Sequence, residues 1–82
     1  MWRQMHNPGC HGIIGDCLSL FISTRAKKDV LNGRMCTWHI YINFHHLHYG
    51  YVQIDNDFTG TIDQAKQYAE SKLREIKEGM PL

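Results

Sequence analysis

The sequence predicts an α+β domain: a three-stranded antiparallel sheet with one C-terminal amphipathic helix packed on one face, in the order β-β-β-α. Three observations carry this. Residues 35–44 and 49–55 alternate apolar and polar side chains on either side of an HHLH segment, the period of half-buried strands. Residues 17–24 carry the same alternation upstream. Residues 62–77 switch to helical spacing directly behind a capping signature.

The 82 residues make one domain, and a chain this short buries only a little over ~60% of its unfolded surface. Residues 1–12, MWRQMHNPGCHG, hold turn formers but no periodicity. They are expected to form a loosely ordered arm anchored by Trp2, ahead of a domain over residues 13–79 and a tail at 80–82.

In the first predicted strand Leu18, Leu20 and Ile22 face inward, while Ser19, Phe21 and Ser23 face outward. Asn32-Gly33 then signals a two-residue hairpin turn, since both residues tolerate positive φ. Pairing straight back from that turn sets Ile22 opposite Asn43, which mixes the faces. An irregular stretch over residues 25–29 is needed to restore the register.

The second strand sends Trp38, Ile40, Ile42 and Phe44 inward and His39, Tyr41, Asn43 and His45 outward. The third sends Val52 and Ile54 inward and Tyr49, Tyr51, Gln53 and Asp55 outward, with Gly50 leaving room for Trp38. Thr61 and Gln64 form a capping box. Asp63 suits the positive end of the helix dipole, and Lys72, Arg74 and Lys77 suit the other end. Ile62, Ala65, Ala69, Leu73 and Ile76 share one stripe with Tyr68 at its border, and Gly79 and Pro81 stop the helix.

Net charge is +1, but it is unevenly spread. Residues 1–50 hold five bases, two acids and all six histidines, whereas residues 51–82 hold four bases and six acids. That is a dipole rather than a strong field for polyanions. Three cysteines make a poor disulfide framework and favour a reducing compartment. The apolar run at residues 12–22 is broken by Asp16 and is too short to span a bilayer. A cytoplasmic protein without membrane contact is expected.

Four sets of residues are candidates for chemistry. Cys10, His11, Cys17, Cys36 and His39 lack the close C-x2-C spacing of a zinc knuckle. Cys36 and His39 also leave a strand on opposite faces, so no metal or other cofactor is expected. Asp55, Asp57 and Asp63 suit a turn and a helix start, and one thin layer offers little concavity for a substrate. No catalytic residues are therefore assigned. The basic loop Arg25, Lys27 and Lys28, with Arg34 beyond the turn, suits either steering or keeping an edge soluble.

The open sheet face is the strongest candidate. Tyr41, Tyr49 and Tyr51 would anchor a partner, His39, Asn43 and Gln53 would supply hydrogen bonds, and Lys27, Lys28 and Arg34 would steer. An exposed edge strand also leaves pairing with a second copy open.

The order of three strands and a helix over residues 17–77, with Asn43 and Gln53 on the exposed face, resembles the N-terminal DNA-binding domain of tyrosine integrases. That resemblance implies a sheet lying in a groove of nucleic acid. The small near-neutral layer without a catalytic set also resembles bacteriophage accessory proteins, anti-CRISPR inhibitors among them. This second resemblance implies a non-enzymatic, phage- or mobile-element-encoded protein that binds, and inhibits, a host protein or ribonucleoprotein complex such as a CRISPR effector. Sheet-mediated nucleic-acid binding is the alternative.

Overall fold

The computed structural model describes residues 1–45 and 50–79. Tyr49, with His46 and His48, lies outside the described residues, as does the expected tail. Seven elements follow one another: β1 (Arg3–Gln4), β2 (Cys10–Ile14), β3 (Leu18–Ser23), α1 (Lys27–Leu31), β4 (Cys36–Phe44), β5 (Tyr51–Gly60) and α2 (Ile62–Gly79). The strands form one sheet in sequence order, each antiparallel to its neighbour.

The three strands expected from alternation are therefore five. The two additional strands lie where periodicity was invisible, for a local reason. In β2, Gly12 takes an outward position with no side chain, because the Phe21 ring lies across it. A Cβ there would sit 2.6 Å from Phe21 Cδ1. Its neighbour His11 turns inward and is buried, with Nε2 at 2.8 Å from the Pro8 carbonyl oxygen. Neither residue advertises a face. Trp2 ties β1 to the helix by donating its indole N–H to Glu70 Oε1 at 2.8 Å.

The β3–β4 connection corrects a second expectation. Asn32-Gly33 is not a two-residue hairpin turn but the end of the five-residue helix α1. Gly33 does take positive φ, at +67°, whereas Asn32 has φ −92°. Arg34 N–H donates to the Asp29 carbonyl at 2.8 Å and Gly33 N–H to the Val30 carbonyl at 3.1 Å. These are the paired bonds of a Schellman C-cap. The extra turn of chain shifts the register as the alternation requires, setting Ile22 opposite Ile40 and Leu20 opposite Ile42. It also carries Val30 into the core.

β5 runs to Gly60, further than alternation indicated, because two register shifts against β4 disguise its period. Gln53 pairs with Tyr41, but Asp55 pairs with Ile40 and Phe58 with Trp38. The first shift turns Asp55 to the helix side, overturning its expected outward position, and the second restores the alternation. Bulges do this by inserting unpaired residues into one strand. Gly50 makes room for the backbone of Phe44 rather than for Trp38: a Cβ at residue 50 would collide with the Phe44 carbonyl oxygen.

The core lies between the sheet and α2. Leu20, Ile22, Trp38 and Ile40 are fully buried, and so are Ala65 and Ala69. The two alanines bring the helix close to the sheet. Trp38 satisfies its indole N–H with the Gly60 carbonyl at 3.0 Å, as a buried donor must. The capping box forms in both directions: Thr61 N–H donates to Gln64 Oε1 at 2.9 Å, and Gln64 N–H to Thr61 Oγ1 at 3.3 Å. Among the described residues no helix is long and apolar enough to cross a membrane.

Tyr68 fastens the bulged strand to the helix. Its hydroxyl donates to Asp55 Oδ2 at 2.7 Å, and its ring stacks on Phe58 at 4.3 Å between centroids. Donation from Tyr68, then from the Asp57 backbone N–H, holds the Asp55 carboxyl below the usual aspartate range. The same bond pushes the Tyr68 phenol up. A carboxylate stabilised in the fold contributes stability above its ordinary pKa and loses it as pH falls through the depressed folded value. Tyr68→Phe should therefore be less stable than the parent near neutrality, with the difference shrinking in strong acid. Urea midpoints of both proteins at the two pH values measure this; a constant difference would contradict the coupling.

Candidate functional site

Antiparallel register places the outward side chains in rows across the uncovered face. One row runs Arg3, Gly12, Phe21, Tyr41, Gln53 over all five strands. On one side of it lie Cys10, Ser23 and His39, and on the other Ile14, Ser19, Asn43 and Tyr51. Alternation built this face, and α2 packs on the other. Tyr51 is 66% exposed and Ile14 50% exposed.

The rings on this face are mutually arranged. Phe21 and Tyr51 lie 6.1 Å apart between centroids and tilted by 44°, while His39 and Tyr41 lie 6.5 Å apart and nearly parallel at 27°. Both separations fall in the range of interacting aromatic pairs. Two recesses open beside them. One, of about 340 Å³, is lined by Phe21, Tyr41 and Tyr51, with Met5, His6 and Cys10 from the β1–β2 region. The other, of about 380 Å³, is lined by Arg25, His39 and Asp29, with threonines 24, 37 and 59. Ser23 lines the first and pairs with His39 of the second, so the recesses adjoin. The Nδ1 atom of His39 is buried without a hydrogen-bond partner, a cost that a rotation of the ring would relieve.

Of the residues expected here, His39, Tyr41, Asn43, Tyr51 and Gln53 share the open face. Lys27 and Lys28 lie on α1 and Arg34 just beyond its cap, all three exposed at one end of the sheet. Neither recess includes them; Arg25 is the loop base that does line one. Arg3, Met5 and His6 were not legible as site residues, and Cys10 only as a candidate metal ligand, because β1 and β2 carry no visible alternation. Pairing residue 3 with Gly12 is what brings Arg3 into the tyrosine row.

A serine–histidine pair was also invisible in the sequence. Ser19 Oγ lies 2.7 Å from His45 Nε2, and His45 Nδ1 lies 3.0 Å from the Asp16 carbonyl oxygen. That carbonyl fixes the proton on Nδ1 and leaves Nε2 to accept from the serine hydroxyl. The relation of hydroxyl, base and orienting group matches that of a nucleophilic pair. Ser19 is only 2% exposed, however, and no approach to its hydroxyl is open. His45 instead ties the chain just after β4 to Ser19 of β3 and to Asp16 in the turn between β2 and β3.

The cysteines are free and apart, with Cys10 on the open face and Cys36 buried on the helix side. Burial pushes both thiols up, assisted at Cys36 by the nearby Asp29 charge. Both are poor thiolates at neutral pH. Among the described residues, no three His, Cys, Asp or Glu side chains gather as metal ligands. No family model, curated protein or solved structure matches this chain.

Burial of Ser19 gives a direct expectation. A fluorophosphonate probe should leave the native protein unlabelled, and Ser19→Ala should cost about 1 kcal/mol of stability, the net worth of one hydrogen bond. Labelling that is lost in Ser19→Ala would make the pair a nucleophile.

Proposed function

We propose that this chain is a small non-enzymatic binding protein whose open sheet face is its contact surface. The observation that supports this reading is one-sided coverage. The helix covers one face except near Val52, while no element packs over the other, where Tyr51 and Gln53 are exposed and Phe21, Tyr41, His39 and Asn43 half-buried. Aromatic and amide side chains give large contact area and adaptable hydrogen bonds at low entropic cost. Exposed apolar and aromatic surface gathered in one place marks contact sites more often than scattered single residues do.

The partner class is a host protein or ribonucleoprotein complex, and the source a bacteriophage or mobile element, in keeping with the resemblance to phage accessory proteins. Binding would block the complex, with Tyr41 and Tyr51 as anchors and the exposed bases at Lys27, Lys28 and Arg34 steering the approach. A second reading, direct nucleic-acid binding by the same sheet, draws support from Arg3 standing in line with Phe21 and Tyr41.

Tagged protein incubated with bacterial lysate, with and without nuclease and at two salt concentrations, separates these readings. Tyr41→Ala and Tyr51→Ala should each weaken capture of a specific partner by tenfold or more, about 1.4 kcal/mol, while circular dichroism stays native. Unchanged capture by both variants would remove the open face from the account. Capture abolished by nuclease and by moderate salt would favour the nucleic-acid reading.

A further inference from the structure

We propose that the two adjoining recesses of the open face form a subsite for one nucleotide of a single-stranded nucleic acid: the base enters the recess of Phe21, Tyr41 and Tyr51, and the phosphate lies by Arg25 and His39. This rests on the reading of the open face as the contact surface. It names the unpaired strand of a ribonucleoprotein, or a free single strand, as what meets that face.

The chemistry of the two recesses differs in the way a nucleotide does. The first offers three aromatic rings with a methionine, and no carboxylate among its lining residues. A flat π surface on a sheet receives bases whatever their sequence, since every base has a π face. The second sets a guanidinium, threonine side chains and the His39 imidazole beside Ala26, Met35 and Cys36. Such donors suit phosphate oxygens and sugar hydroxyls. Continuity comes from β4, where His39 of the second recess stacks beside Tyr41 of the first. Arg3, in line with Phe21 and Tyr41, extends the positive rim towards a neighbouring phosphate. Asp29 also lines the second recess and opposes an anion there, so binding should be modest and strongly salt-dependent.

A duplex does not satisfy this geometry, because its bases are stacked on each other and unavailable to the rings. A protein partner would use the tyrosines without needing the Arg25 recess. These differences set the experiment.

Fluorescence anisotropy of a fluorescein-labelled oligouridylate is titrated with the protein at low salt, beside a labelled hairpin duplex of equal charge. The single strand should bind and the duplex bind more weakly. Tyr51→Ala should weaken single-strand binding about tenfold or more. Arg25→Gln should weaken it and make the salt slope shallower by about one. Asp29→Asn should tighten it severalfold. Circular dichroism confirms that each variant is folded. No binding of the single strand, equal binding of the duplex, or insensitivity to Tyr51→Ala would overturn the proposal. An Asp29→Asn variant that binds no more tightly would overturn the placement of phosphate in the second recess. If oligouridylate fails to bind while Tyr41→Ala and Tyr51→Ala still lose a nuclease-resistant protein partner, a protein occupies this face and only the nucleotide subsite falls.

Discussion

Helix α2 has 18 residues and a single apolar stripe, whereas the sheet has five strands and two faces. A lone helix can bury one of those faces. Its alanines at 65 and 69, fully buried, let it approach closely enough to enclose Leu20, Ile22, Trp38 and Ile40. The opposite face receives no element of the described chain, so its stability and solubility rest on what its own side chains present. Cross-strand neighbours supply part of the answer, as Phe21 covers Gly12 and touches Tyr51. What remains exposed is then available for contact with something else.

The bulges in β5 link the two faces. Without them a ten-residue strand beside β4 would keep one strict alternation. The first shift brings Asp55 beneath Tyr68, and the second returns Phe58 to the helix side to meet Trp38. Helix and strand are thereby fastened at a polar bond and a stacked ring pair together. The stretch before the shifts still sends Tyr51 and Gln53 to the open face. The N-terminal strands make the matching addition at the other edge, held to the helix through Trp2 and Glu70.

Much of the fold was legible because each signal was local. The alternation at residues 17–24 and 35–44 found β3 and β4, and the reciprocal pair Thr61 and Gln64 found the start of α2. The Asn-Gly pair correctly demanded positive φ at Gly33, but a hairpin turn and a Schellman cap share that demand, and only longer-range pairing chooses between them. β2 was missed because the ring covering Gly12 belongs to another strand. Asp55 was assigned to the wrong face because bulges leave little trace in composition. On the candidate site, the placement of Tyr41, Tyr51, His39 and Gln53 on one face followed from alternation alone. Arg3 and the Ser19–His45 contact could not, since tertiary pairing creates both.

The claim that one face is sealed and the other left open is tested most directly by hydroxyl-radical footprinting of the free protein, read by mass spectrometry over a range of protein concentrations. Tyr51 is expected to oxidise rapidly at every concentration, Tyr41 more slowly, and Trp38 only on unfolding. Protection of Tyr51 that grows with concentration would mean that a second copy closes the face. Rapid oxidation of Trp38 in the folded protein would mean that the helix does not seal the sheet, and the account would fail at its foundation.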